Sequence, residues 1–237
     1  MKTFINYAHR GASEYAPENT LQSFYLGLQM QANGIETDVQ MTKDNVAVLF
    51  HDDTLFRVTG EQGSVKDYTL SELNAFWVKK NGHQDKIITL RRFFECFSDR
   101  NITFAIELKG ENTERATLNL INEFNVLDKV IITSFKFDYL KKFRAICPTA
   151  KIGYLVSQVT PEVLSDLASI NGYEICPVAQ SLTKEKVKSW HNLGLNVRAW
   201  GVYNPKLMKH AFRAGVDGMT VNFPDKLTKL LKGKKMD

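Results

Sequence analysis

An alternation repeated eight times limits the folds open to this chain more than any other feature. Short runs rich in β-branched and aromatic residues recur, each followed by a segment with helical patterning. The β-type runs cover residues 4–8, 35–41, 103–108, 130–133, 151–156, 173–176, 196–200 and 218–221. Between them Leu21, Phe24, Tyr25 and Leu28, then Leu140, Phe143 and Ile146, then Val163, Leu164 and Leu167 recur at the spacing of one helix face. Helix starts are marked too: Asn19 or Thr20 caps the first, Thr160 and Pro161 open another, and Asn204 with Pro205 a third. Strand and helix in strict alternation build parallel sheet. Eight units in 237 residues predict an α/β fold of the (β/α)8 TIM barrel type. A doubly wound open sheet is the competing architecture.

One stretch breaks the rhythm. After the second strand, a turn at Asp44 and Asn45 and the alternation of Val46, Val48 and Phe50 predict a β-hairpin instead of a crossover helix. The chain then runs from about Asp52 to Ile88, with Gly60, Gly63 and a short helix candidate in LSELNAF, before a barrel helix near Leu90. An excursion of that length is usually functional or a lid. With no linker or repeat, residues 1–237 are expected to form one domain carrying this insertion.

Composition narrows the class. Hydrophobic residues make up 43% and charged residues 24%, which excludes disorder. The net charge of +5 is concentrated at one end: Lys226 to Asp237 holds five lysines and one aspartate, hence +4. A solvated basic end is therefore expected, with a weak contact to an anionic surface as the alternative and no nucleic-acid partner. Cys96, Cys147 and Cys176 are too scattered for a disulfide framework or a zinc site. MKTFINYAHRG lacks the apolar stretch of a signal peptide, and no run approaches the ~18 apolar residues of a membrane span. A cytoplasmic protein without a stable membrane anchor, monomeric or homodimeric, is expected.

In a barrel, residues at the carboxyl ends of the strands face the site. By the period of two, Glu36, Asp38 and Gln40 share one face of their strand, and Glu107 and Lys109 share one face of the next. Three carboxylates packed together need a cation to stay ionised. Oxygen ligands favour a hard divalent ion, Mg²⁺ or Ca²⁺, over zinc. The other reading puts Glu36 and Asp38 on a solvent-facing strand.

His9 ends the first strand and His51 ends the hairpin. Two imidazoles beside a metal suit phosphodiester cleavage, one removing a proton and one returning it, while Arg10 and Lys109 neutralise phosphoryl oxygens. Each histidine taken singly also fits a structural role. His83, His191 and His210 have no such setting and are read as structural.

These stretches together resemble the glycerophosphodiester phosphodiesterase family: HRG at 9–11, PENT at 17–20, ETDVQMTKDNVAVLFHDDTL at 36–55 and IELKG at 106–110, then TSF at 133–135, AWGVYN at 199–204 and GVDGMTVNFPD at 215–225. The resemblance spans nearly the whole chain. It implies a TIM barrel with a small insertion after the second strand and one divalent cation, Mg²⁺ or Ca²⁺. It also implies Glu36, Asp38 and Glu107 as metal ligands, His9 and His51 as the acid and base, and Arg10 and Lys109 as phosphate contacts. Glu18 and Trp200 fall at further substrate-binding positions, Trp200 against glycerol or in the core. Where the family's last strand often ends in aspartate, this chain has Asn222, which argues against a charged role there. The reaction implied is hydrolysis of a glycerophosphodiester to sn-glycerol 3-phosphate and an alcohol, through a cyclic phosphate. A lysophospholipase D-like activity and a phosphodiester-binding module without chemistry are the alternatives.

Overall fold

The strands, in chain order, are β1 Ile5–His9, β2 Gly34–Met41, β3 Ala47–Leu49, β4 Val78–Lys80, β5 His83–Asp85, β6 Thr103–Leu108, β7 Val130–Ser134, β8 Lys151–Val156, β9 Glu174–Pro177, β10 Asn196–Ala199 and β11 Gly218–Val221. A computed structural model describes residues 3–233. Met1 and Lys2 of the opening segment, and Lys234, Lys235 and Asp237 of the basic end, lie outside the described residues. Parallel pairing runs β1, β2, β6, β7, β8, β9, β10, β11. β11 then pairs with β1 (Ile5 opposite Gly218, Ala8 opposite Val221), while β1 pairs with β2 (His9 opposite Glu36), so the ring closes. This is the (β/α)8 barrel expected, not the open sheet.

Helices follow the strands and take their starts from the chemistry anticipated. Thr20, not Asn19, caps the helix Leu21–Gln29, its side chain accepting from the Ser23 amide. Thr160 and Asn204 cap the helices opened by Pro161 and Pro205. Between helices and strands lies an aromatic cluster. Phe24 meets Phe93 at a ring-centroid distance of 5.0 Å, and Phe93 meets Phe97 and Phe104 at 5.2 and 5.4 Å. All four rings are fully buried, each stabilising the fold by roughly 1.5–3 kcal/mol.

The hairpin is present as β3 antiparallel to β2 (Val39 opposite Leu49, Met41 opposite Ala47), with Asn45 in the left-handed conformation at its turn. The excursion after it holds the expected short helix, Leu70–Leu73, and three further pieces: a helical turn Phe56–Thr59, a 3₁₀ turn Val65–Asp67 and the β4–β5 hairpin. That last hairpin turns through Asn81 and Gly82, both at positive φ, a signal that Asn-Gly carries in sequence. Val48, Phe50, Leu55, Val58, Val65, Leu73, Val78 and Ile87 give the excursion its own apolar cluster.

Inside the barrel the layer below the mouth is polar. Arg198, 1% exposed, donates from Nε to Glu174 Oε2 at 2.9 Å and from Nη1 to Thr220 Oγ1 at 3.0 Å, with the Tyr7 ring 5.0 Å away. A buried ion pair is tolerable only with such partners. Glycines make the room. A Cβ at Gly34 would sit 2.7 Å from Tyr7 Cδ1, and one at Gly153 would sit 3.1 Å from Glu174 Oε2. The Gly34→Ala variant should therefore lose about 1–3 kcal/mol, the usual cost of overpacking. Urea unfolding monitored by circular dichroism measures this directly, and an unchanged midpoint would contradict it.

Candidate active site at the barrel mouth

The mouth is assembled from two tight turns. At the end of β1, Arg10 (φ 54) and Gly11 (φ 83) both adopt left-handed backbone. Gly11 is required there, since a Cβ would lie 2.4 Å from the Ser23 backbone. The strained φ at Arg10, worth about 1–3 kcal/mol, is offset by what its groups reach. Its amide donates to the Glu36 carbonyl at 2.9 Å, and its guanidinium lies between Asp38 (Nε to Oδ2, 3.3 Å) and Glu18 (Nη1 to Oε1, 2.8 Å).

The second turn carries His51. The Phe50 amide donates to the Asp38 carbonyl at 3.0 Å, and the Gln40 side chain donates to the Phe50 and Asp52 carbonyls at 3.0 and 2.8 Å. His51 is thus clasped on both sides by the strand that bears Glu36 and Asp38. Its Nδ1 stands 2.6 Å from Asp52 Oδ1.

Glu36, Asp38 and Glu107 are buried, and each offers an oxygen within 4.8 Å of the others. The solvent-facing alternative is excluded. Burial first, then Asp38 and Glu107, pushes Glu36 well above the carboxylate range, against Arg10 and Arg198. Burial and Asp38 push Glu107 up to about 7, against Lys109, whose Nζ is 3.3 Å from Glu107 Oε1. Asp38 goes the other way: burial raises it, but Arg10, His51, Lys109 and the Asn19 amide outweigh burial and hold it down. Asp38 Oδ1 is buried with no hydrogen-bond partner. An orphaned carboxylate oxygen among three clustered carboxylates fits a hard divalent cation. Glu18, His51 and Asp52 form a second cluster of the same size, but the Arg57 guanidinium already pairs with both of its carboxylates.

His9 meets the same space. Its Nδ1 lies 2.5 Å from Asn222 Oδ1, an acceptor, which places the ring proton on Nδ1 and leaves Nε2 facing Glu36 at 3.8 Å. Burial, then the Arg10 charge, drives the ring down to about 3, so it is neutral at physiological pH.

A cavity of about 290 Å³ joins these groups. His9, Arg10, Glu36, His51 and Glu107 form its polar side, and Phe135, Leu155, Trp200 and Tyr203 its apolar side. Trp200 packs edge-on against Phe135 at 4.9 Å and donates from Nε1 to the Val156 carbonyl at 3.1 Å. Glu18 sits beside the mouth, its carboxylate accepting from Arg10 and Arg57. The apolar residues of the excursion do not line the cavity: Leu55 is buried in its own cluster and Phe76 packs on Tyr68. A larger groove, about 500 Å³, lies outside the barrel between the helices Pro205–Ala214 and Pro224–Gly233, remote from every one of these groups. His191 pairs with Asp217 and His210 with the Leu182 carbonyl, away from the mouth.

The family model for the glycerophosphoryl diester phosphodiesterase family matches residues 9–226. The chain belongs to that family. A glycerophosphodiester phosphodiesterase of Caldanaerobacter subterraneus subsp. tengcongensis is 33% identical, over 98% of this chain and 99% of its own. An Oleispira antarctica phosphodiesterase, solved in complex with the product sn-glycerol-3-phosphate, superposes with a TM-score of 0.90 at 26% identity, over 96% of each chain. The Thermotoga maritima glycerophosphodiester phosphodiesterase superposes with a TM-score of 0.80 at 27% identity, over 97% of this chain and 99% of the other.

Two residues of this phosphodiesterase-family site carry no sequence signal as site residues: Asn19 and Asp52. Asn19, at φ 56, accepts from Thr37 Oγ1 and donates to Asp38 Oδ2 at 2.9 Å, so PENT aims a carboxylate as well as starting a helix. Gln40 is legible from its place on the Glu36 and Asp38 face, and Asn222 from its place after the last strand.

A carboxyl raised to about 7 opposes metal binding until it ionises, so affinity for Mg²⁺ or Ca²⁺ should strengthen from pH 6 to pH 8 with proton release. Titration calorimetry in buffers of different ionisation enthalpy reads both. Because Glu107 holds its proton more tightly folded than unfolded, its contribution to stability is full below about 4.5 and lost as pH rises through about 7. Added cation should therefore raise the melting temperature more at pH 8 than at pH 6, and an equal gain would contradict this assignment.

Proposed function

We propose that the protein hydrolyses glycerophosphodiesters to sn-glycerol 3-phosphate and an alcohol, with His9 and His51 moving the protons. One observation carries the reading: both histidines and the carboxylates of Glu36 and Glu107 open onto a single cavity, in a chain whose fold matches a phosphodiesterase holding that product. Among the described residues no serine or cysteine lines that cavity. The substrate's neighbouring glycerol hydroxyl is the nucleophile of the first step. His9, neutral with Nε2 toward the cavity, accepts its proton. As the hydroxyl oxygen bonds to phosphorus, the P–O bond to the alcohol breaks, and His51, turned by Asp52, protonates the departing oxygen. A water then opens the cyclic phosphate with the two roles exchanged.

Glu36, Asp38 and Glu107 would hold one Mg²⁺ or Ca²⁺, which supplies positive charge beside the phosphoryl oxygens. Arg10 and Lys109 add fixed cations at the same edge. Trp200 and Phe135 offer the glycerol carbons an apolar face. Cys96, Cys147 and Cys176 are unpaired, which supports a reducing, cytoplasmic setting. Among the described residues no helix is long and apolar enough to cross a membrane.

The apolar wall also supports a second reading, cleavage of lysophospholipids. Phe135 and Tyr203 are 41% and 67% exposed at the rim, where an alkyl chain would lie. Turnover of glycerophosphocholine against lysophosphatidylcholine separates the two.

His9→Ala and His51→Ala should each lower turnover of glycerophosphocholine by at least about 10²-fold, followed by coupled detection of glycerol 3-phosphate. Wild-type rates in both would refute the proton-transfer roles. EDTA should abolish hydrolysis and added Mg²⁺ or Ca²⁺ restore it. A phosphodiester-binding protein without chemistry would instead show salt-sensitive binding and no turnover.

A further inference from the structure

We propose that Arg57, supplied by the excursion, is a positioning residue that sets His51 and Arg10 from one guanidinium. The inference rests on the reading of His51 as a proton-transfer group. Arg57 belongs to the helical turn Phe56–Thr59, which Gly60 ends in the left-handed conformation at φ 86. Leu55 and Val58, on either side, are buried in the excursion's apolar cluster, so the backbone under Arg57 is fixed while half of its side chain stays in solvent.

Its guanidinium makes two forked contacts. Nη1 and Nη2 donate to Glu18 Oε2 and Oε1 at 2.8 and 2.7 Å. Nη2 also donates to Asp52 Oδ1 at 2.9 Å, and Nε donates to Asp52 Oδ2. Each carboxylate passes the constraint on. Glu18 Oε1 accepts from Arg10 Nη1 at 2.8 Å, and Asp52 Oδ1 lies 2.6 Å from His51 Nδ1. Two chains, one ending on a phosphate-facing cation and one on an imidazole, therefore meet at a single planar group.

The chemistry of that group matters. Glu18 and Asp52 would repel each other across the rim without a cation between them. A lysine would supply the charge but not two forks, because an ammonium is a point donor. Half-exposed ion pairs on a surface contribute little to folding. What Arg57 supplies is orientation. With Asp52 released, His51 loses the partner that selects its tautomer and ring plane, and an imidazole so freed is a poor proton donor.

The test uses the full-length protein with Mg²⁺ or Ca²⁺ and glycerophosphocholine. Arg57→Met should lower kcat about 10- to 100-fold, the range seen when a partner behind a functional side chain is removed. Its melting temperature should stay at the wild-type value. Arg57→Lys should recover little of the loss, whereas millimolar guanidinium ion should restore turnover in Arg57→Met and leave wild type unaffected. Asp52→Asn combined with Arg57→Met should cost less than the product of the two single effects.

An Arg57→Met variant with wild-type kcat overturns the proposal. So does a lost rate that follows a lowered melting temperature and ignores guanidinium. His51→Ala belongs in the same series. If it retains full turnover, the proton-transfer reading has failed; if it is inactive while Arg57→Met is not, only the role of Arg57 has.

Discussion

Three buried carboxylates at one end of a closed barrel repel one another, and most of the surrounding structure is arranged to bear that repulsion. Arg10 accepts a strained backbone so that its guanidinium can lie between Asp38 and Glu18. Lys109, two residues beyond Glu107 on the same face, leans back onto that carboxylate. The cations do not cancel the burden evenly. Asp38, nearest of the three to the Arg10 guanidinium, is held ionised, while Glu36 and Glu107 are left with a raised affinity for protons. A site in that condition is one a divalent ion would complete, since it would replace the protons, and the Asp38 oxygen that nothing else partners would be free to bind it.

Closure of the ring brings the parts together. β1 neighbours both β2 and β11, so the turn after β1 lies between the carboxylates of β2 and Asn222 just past β11. His9, at the seam, receives its hydrogen-bond partner from a residue 213 positions away in sequence. The hairpin after β2 does the same for His51 over a short distance, since β3 runs back antiparallel and returns the chain to the Asp38 carbonyl. Long-range closure and a local turn thus deliver one imidazole each.

Much of this was legible in the residues. All eight barrel strands, the hairpin and the caps at Thr20, Thr160 and Asn204 follow from patterns that depend on nearest neighbours along the chain, and such patterns survive folding. Strand ends moved by about one residue: β1 includes His9 and β9 runs to Pro177, because pairing with the next strand, not propensity, sets where a strand stops. The carboxylate trio was readable because the period of two is strict. The support around it was not. Asn19 is bonded to Asp38, Asn222 to His9 and Arg57 to Glu18 because the barrel brings distant loops to one end, and no spacing rule encodes that. The excursion was readable as a break in rhythm, but its apolar residues do not line the cavity. The apolar wall comes instead from Phe135, Leu155, Trp200 and Tyr203.

The glycines within the barrel have a consequence for how such a chain can change over time. Gly34, Gly153 and Gly218 each leave out a side chain beside Tyr7, Glu174 or the Ile5 backbone. Those vacated spaces admit the Tyr7 ring and the Arg198–Glu174 pair. Neither partner in this arrangement can drift alone: a larger residue at a glycine collides with the polar stack, and a smaller residue in the stack strands a buried charge. Descent through this layer must proceed by paired or compensated steps, whereas exposed Phe135 and Tyr203 at the rim above it face no such constraint. Substrate range can therefore diversify at the lip while the floor beneath the carboxylates stays locked.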